Sequence, residues 1–266
     1  MPKLPYGLRL REIVLALAVG GLGSGAALVM LEVMDDAEAH DEPAAYAAGP
    51  SEATYELAAF DEVITSGPQD VEITIGETFS VRSEGPPEAL SLLEPVVENG
   101  RLTIGPRDGF NWNRWSRLDG ATFHVTVPRL DSVTTAGSGD VRIDRVEGES
   151  FEVNIGGPGE ITIGELDVGE AGFTVAGSGN LVVAGSARET RVTIAGSGEV
   201  QAGGMQSETA NIQIGGSGDV VLGVEREARI SITGSGDVTI LGDAECSVTR
   251  MGSGDVRCGG VLQDAN

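Results

Sequence analysis

A glycine corner returns along the second half of the chain, as GSGD at 137, GPGE at 157, GSGN at 177, GSGE at 196, and GSGD at 216, 234 and 252. The steps between first glycines are 20, 20, 19, 20, 18 and 18 residues. A period near 20 suits one turn of a β-solenoid, whereas a propeller blade needs about twice that. The flanking residues decide between strand and loop. Four before the first glycine stand Val133, Val153, Phe173, Val192, Ile212, Ile230 and Val248, and two before it Thr135, Ile155, Val175, Ile194, Ile214, Ile232 and Arg250. Four after it come Val141, Ile161, Leu181, Val200, Val220, Val238 and Val256, and six after it Ile143, Ile163, Val183, Ala202, Leu222, Ile240 and Cys258. This is alternation of period two, held in register through every repeat, and it predicts strands with one buried face. Only Thr135 and Arg250 break the apolar columns.

Each repeat therefore reads as strand, tight corner, strand and a more variable return of about eight residues. The predicted fold is all-β: a right-handed, single-stranded parallel β-helix with rungs of 18–20 residues. Parallel stacking about 4.8 Å apart sets Val on Val and Ile on Ile, and seven rungs would make a rod about 30 Å long. Right-handed winding is the default for parallel crossovers. With 40 glycines and only 4% aromatic residues, such a core has to be built from small β-branched side chains. At the corner, glycine gives positive φ without a steric cost and lets turns stack closely, while the acid or amide in fourth place accepts a backbone N–H of the turn. Upstream, "VITSGPQDVEI" (63–73) fits the template as a degenerate first rung, and "VVENGRLTI" and "ATFHVTVPRL" read as further strands. In the last of these His124 faces away from Phe123, Val125 and Val127, which predicts an exposed or cross-strand histidine.

The amino-terminal part has another character. Residues 13–31 carry no charge and nearly span a hydrocarbon core, so 13–34 is expected to be a transmembrane or signal helix. Lys3, Arg9 and Arg11 in the basic segment 1–12 place that segment in the cytoplasm by the positive-inside rule. Ala37-Glu38-Ala39 offers a cleavage pattern, but the apolar run exceeds an ordinary signal core, which favours an uncleaved anchor. Gly21 and Gly25 have GxxxG spacing, although glycine is common in membrane helices in any case. Residues 35–57 read as a disordered linker in which His40 is solvated, 58–262 as the solenoid domain and 263–266 as a tail. The folded part is then expected outside the cytoplasm, on a bacterial inner membrane and facing the periplasm or exterior, or free in the periplasm or on the outer surface after cleavage. A formal charge of −24 excludes a basic nucleic-acid site and attraction to anionic headgroups.

The order "FDEVITSGPQDVEITIGETFSV", "VENGRLTIGP", a tryptophan loop, "FHVTVPRLDSVTTAGSGDV" and returning GSGDV turns resembles the family described as putative auto-transporter adhesin, head GIN domain, over about residues 58–262. The resemblance implies an exported right-handed β-helix. It implies no functional residues, since none are defined for that family.

Several residues are candidates for chemistry. The fourth corner residues form a ladder in which Asp219, Asp237 and Asp255 are the best placed to bind Ca²⁺, but the period differs from that of calcium-binding nonapeptides and turn capping is the favoured role. Trp112 and Trp115, in the loop "GFNWNRW" (109–115), could stack on a sugar or protein partner; covering the open end of the solenoid is the favoured role. Cys246 and Cys258 flank the last corner and both point inward. An oxidising compartment permits a disulfide, but strands diverging from a corner need not bring the Cα atoms within about 7 Å, which favours two buried thiols. Arg250 in an inward column marks the end of stacking, its charge reaching solvent or a carboxylate. No Ser/His/Asp set, HExxH, CxxC or phosphate loop is present, and the single lysine is Lys3. The chain is thus expected to be a tethered binding, adhesin-like or structural envelope module rather than an enzyme; a carbohydrate-active enzyme on a β-helix scaffold is the alternative, because sequence does not give carboxylate separations. Expected partners are an envelope protein or glycan, a second copy of the chain, and the membrane through the N-terminal helix only. No cofactor is implied beyond the Ca²⁺ of the ladder.

Overall fold

The computed structural model describes residues 51–263, which lie in the compact unit Ala45–Asn266. The apolar run 13–34, the linker up to residue 50 and residues 264–266 lie outside the described residues. The first half contains β1 (Glu52–Tyr55), β2 (Glu62–Thr65), β3 (Asp70–Ile75), β4 (Ser80–Glu84), the short helix α1 (Pro87–Leu92), β5 (Leu93–Glu98), β6 (Arg101–Pro106), a 3-10 turn at Trp112–Arg117 and β7 (Thr122–Val127). The second half contains β8 (Ser132–Thr135), β9 (Val141–Ile155), β10 (Glu160–Val175), β11 (Asn180–Gly196), β12 (Glu199–Gly216), β13 (Asp219–Gly234), β14 (Val238–Leu241), β15 (Glu245–Gly252), β16 (Val256–Cys258) and β17 (Val261–Leu262).

These strands make a β-solenoid of about 6 turns with almost no helix. From β8 to β16 the stacking is parallel and keeps the predicted register: Val141, Ile161, Leu181, Val200, Val220, Val238 and Val256 pair in one row. Every position of the four predicted columns is buried except Arg250, and Cys246, also expected to point inward, is half-buried. Each Val, Leu or Ile buried in this way contributes about 2 kcal/mol. The return adds a further inward row, Phe151, Ala171, Thr190, Ala210 and Ala228. Its one polar member, Thr190, is satisfied by a 2.6 Å hydrogen bond between its hydroxyl and that of Ser207.

The segment 63–73 is a full rung. Val63 pairs with Val133, Thr65 with Thr135, Val71 with Val141 and Ile73 with Ile143. On its other side the same rung carries β6 and β7, also in parallel, with Leu102 on Val63 and Phe123 on Val71. Beyond these the pairing turns antiparallel: β4 on β7, β1 on β4, and β5 on β6. The β5–β6 hairpin turns on Asn99 (φ 53°) and Gly100 (φ 79°), the residue pair suited to a two-residue turn with positive φ at both places. Strand β1 corrects the linker boundary. Glu52–Tyr55 is ordered because Tyr55 stacks on Phe123 (centroids 6.2 Å apart) and its hydroxyl lies 3.1 Å from that of Ser83. At the other end, β16 has only three residues before the chain turns back into antiparallel β17, so the last predicted rung is not completed.

The corners stack backbone on backbone. A Cβ on Gly216 would lie 2.2 Å from the Gly196 carbonyl oxygen, and one on Gly218 would lie 2.3 Å from that of Gly198 and 2.7 Å from Ile194 Cγ2. Positive φ belongs to Gly196, Gly216, Gly234 and Gly252 but not to Gly157 or Gly177, so close approach is the requirement common to all corners. In the first rung Gln69 replaces the second glycine of the corner and turns inward, donating to Thr65 Oγ1 (3.0 Å) and to the carbonyls of Ser66 (3.2 Å) and Ile104 (3.1 Å). The prediction from the stacked corners is that Gly218→Ala lowers unfolding free energy by about 3 kcal/mol or more, because backbone has to move to admit the methyl group. Gly148→Ala, where an added Cβ meets nothing within 4 Å, is expected to be neutral or slightly stabilising in the same urea titration.

Candidate functional site

The corner acids join one rung to the next. Asp70 Oδ1 accepts the Asp140 N–H (2.9 Å), Asp140 Oδ1 that of Glu160 (3.1 Å), Asp219 Oδ1 that of Asp237 (2.8 Å) and Asp237 Oδ1 that of Asp255 (2.7 Å). The N–H that is capped thus belongs to the following turn, not to the acid's own. Where Glu or Asn holds the fourth place, the previous glycine takes over: Asn180 donates to the Gly159 carbonyl (3.2 Å) and Glu199 to that of Gly179 (3.3 Å). Asp219, Asp237 and Asp255 do line up, but the first two each spend one oxygen on a backbone N–H. Among the described residues no group of three or more His, Cys, Asp or Glu is arranged to hold a metal ion.

Along the side faces carboxylates meet arginines of the same or the neighbouring strand. Arg191 bridges Glu170 (3.2 Å) and Glu189 (2.6 Å), Arg229 meets Glu227 (2.6 Å), and Arg101 meets Glu62 (2.7 Å). Such exposed pairs add at most about 1 kcal/mol each, so they set the surface pattern rather than hold the rod together. At one point the pattern opens. Gly172 lies in the outward column between Glu152 and Arg191, and the missing side chain leaves a polar notch of about 230 Å³ lined by Glu152, Asn154, Glu170, Thr174, Arg191 and Thr193 among others. On a different face an apolar shelf of about 560 Å³ runs over Val182, Ala184, Gly203 and Val221, with Glu199 as its one acid. Sequence reasoning missed both concavities; the glycine signal at 172 was present but stands outside the corner repeat.

Trp115 is half-buried and packs against the hydrophobic core at the capped end, with Asn111 capping the 3-10 turn by accepting the Asn113 N–H at 3.1 Å. A 3-10 turn at Trp112–Arg117 stands within the loop expected over 109–115. The Trp112 side chain lies outside the described residues. His124 is cross-strand as expected: Nδ1 is 3.1 Å from Glu72 and Nε2 is 3.4 Å from Glu84, one carboxylate on each neighbouring strand. Arg250 is half-buried, donating to the Gly254 carbonyl (2.6 Å) and lying 3.6 Å from Asp255. Cys246 and Cys258 are joined in a disulfide, with Cα atoms 6.5 Å apart. This corrects the expectation of two thiols. The strands on either side of this corner stay close enough for the bond, with Arg250 donating across the corner to the Gly254 carbonyl.

The model of the family described as "Putative auto-transporter adhesin, head GIN domain" matches residues 59–244. The chain belongs to this family. Solved structures share its fold. A putative adhesin from Bacteroides fragilis aligns with TM-score 0.72 at 18% identity, covering 77% of this chain and 95% of its own. A putative adhesin from Parabacteroides merdae gives 0.62 at 17%, covering 78% and 95%, and a protein from Parabacteroides distasonis described as putative lipid binding gives 0.59 at 21%, covering 79% and 96%. Among proteins of curated function none matches the chain. The matched GIN domain ends before β15, so the disulfide-closed last turn lies beyond it.

Two outcomes follow from the corner and the disulfide of this GIN-domain protein. Asp237→Ala is expected to lower unfolding free energy by about 1 kcal/mol, and Asp237→Asn, which keeps an acceptor, by only a few tenths. With capping as the role of the ladder, adding a chelator leaves the melting temperature unchanged; a rise with Ca²⁺ would contradict it. Reducing the disulfide removes a cross-link over a sequence separation of 12 and should destabilise by up to about 3 kcal/mol. Amide exchange should then accelerate in β15–β17 before it does in the middle rungs.

Proposed function

We propose that this GIN-domain chain is a non-catalytic binding module of a bacterial cell envelope. It is a right-handed solenoid carried outside the cytoplasm by the apolar segment 13–34, which stays as a single-pass anchor in preference to being cleaved, and it presents its polar side faces to an envelope glycan. Right-handedness is the expected sense for parallel crossovers of this kind. The observation that carries the reading is how the carboxylates are used. Asp residues of the corner cap backbone N–H groups, face acids such as Glu170 and Glu227 pair with an arginine of the adjacent or the same strand, and the apolar shelf holds a single acid.

Glycoside hydrolysis needs two carboxyl groups free to act on opposite sides of one bond. In the notch over Gly172, Glu170 is committed to Arg191 (3.2 Å), which suits holding a ligand better than cleaving it. Its hydroxyl, amide, carboxylate and guanidinium groups together match a hydroxyl-rich ligand, donor for acceptor.

Gly172→Trp tests this directly. An added Cβ there meets only Glu152 Cγ at 3.5 Å and the Phe151 carbonyl at 4.0 Å, so the variant should fold, with the indole filling the notch. With the full-length chain in detergent as bait, capture of glycan from an envelope extract is expected to fall about tenfold or more in Gly172→Trp, the loss of about 1.4 kcal/mol of contact. Capture of protein alone, or release of reducing sugar from the extract, would refute the glycan-binding reading.

A further inference from the structure

The two ends of the solenoid are built differently. At the capped end the outermost strands are β1, which begins with Glu52, and β5, which contains Glu94, Pro95 and Glu98. Charge and proline on an edge strand discourage pairing with another chain. At the far end β16 is covered by β17, but β15 pairs only with β13 and its other edge carries no strand among the described residues. Within the stack the residue just before a corner donates its N–H to the preceding rung, as Ala136 does to Thr65, Gly156 to Thr135 and Ala176 to Ile155. By the same alternation Cys246, Val248 and Arg250 turn their N–H and C=O groups to the open edge of β15. The strand has no proline, and the Arg250 charge is drawn onto Gly254 and Asp255 rather than left to guard the edge. The exposed apolar residues Met251 (67%), Val261 (62%) and Leu262 (55%) lie on the same terminal segment. The disulfide holds this edge in shape before any partner arrives.

We infer that the open edge of β15 pairs antiparallel with β15 of a second copy of this chain, about a two-fold axis. A closed two-fold contact uses the same patch twice, and an edge strand is suited to it. Charge selects this end. The whole chain carries −24, but residues 243–262 hold Asp243, Glu245 and Asp255 against Arg250 and Arg257, a balance of three acids and two bases, or −1. With Val248 opposite its own copy, Ser247 faces Thr249 and Glu245 faces Met251, so no like charges are set opposite one another. Position selects the geometry. The chain enters the described domain at Ser51, at the capped end, with fifty residues before it, whereas β15 is at the other end of the stack. On the reading of 13–34 as an anchor, made under Proposed function, the open edges of copies tethered in facing membranes meet tip to tip. The pairing is therefore a homophilic contact between opposing surfaces.

The test uses the full-length chain reconstituted in neutral phosphatidylcholine vesicles with the domain outward. Wild-type vesicles should cluster, as followed by light scattering. The variant Ser247→Glu/Thr249→Glu changes two exposed side chains and places acids opposite acids, so clustering should fall about tenfold or more while circular dichroism stays unchanged. Vesicles carrying Ser247→Lys/Thr249→Lys should likewise fail alone, and mixing the two populations should restore clustering. Absence of clustering by folded wild type, clustering unaffected by the paired glutamates, or no rescue on mixing would each overturn the inference. Dimers in detergent without vesicle clustering would overturn the opposing-surface geometry. Failure of glycan capture, by contrast, bears only on the notch, and protease protection of the domain in cells would refute export while leaving edge pairing measurable in detergent by sedimentation.

Discussion

The approach of one glycine corner to the next sets the dimensions of this molecule. A carbonyl oxygen of the rung below occupies the space where a side chain would begin, at about 2 Å from the ideal Cβ in corner after corner. Once the corners are fixed at that separation, the strands on either side have to hydrogen-bond in parallel register, and the Val and Ile columns come into contact with no large side chain to fill gaps. The Asp residues of the fourth place reinforce the same step by accepting the next rung's N–H. Backbone contact, buried columns and carboxylate ladder thus all act on the interval between turns, which is why the repeat is so strict at the corner and so loose in the return.

What could be read from the residues followed this division. The columns through Val141, Ile161 and Leu181 were legible because a period of two in register, repeated many times, has no other economical explanation. The first rung at 63–73 was legible although it stacks on residues 133–143, since the template was already defined. The capped end was less so. Asn99-Gly100 is a strong hairpin signal that the solenoid template obscured, and Glu52–Tyr55 looked like linker because the alternation in "EATY" is too short to stand out from an Ala-rich segment. The direction of the Asp hydrogen bonds, to the next turn rather than the same one, depends on the stacking distance and is not encoded in any local motif. The notch at Gly172 was hidden for a related reason: its lining comes from three successive rungs, some twenty residues apart.

The excess of acid has a consistent physical place in this arrangement. Stacked rungs bring identical side chains to about 5 Å from one another, and a column of carboxylates at that spacing repels itself. The chain relieves this in two ways, by giving corner oxygens to backbone N–H donors and by interleaving arginines on the faces, as at Glu170, Arg191 and Glu189. Arginine suits the second task because its planar fork can contact two acids on different strands at once. Arg129, hydrogen-bonded to Asp131 at 2.6 Å, has its pKa raised by that bond and that charge.

The placement of β2 and β3 bears on the order in which the molecule can form. They sit between β6–β7 on one side and β8–β9 on the other, partners that lie up to about seventy residues later in the chain. A chain emerging amino-terminus first cannot complete this end until β9 has followed it. The regular rungs, whose partners are only 17–20 residues away, close far shorter loops. Assembly is therefore expected to start in the later repeats and spread backwards, so that the segment first to be made is the last to settle.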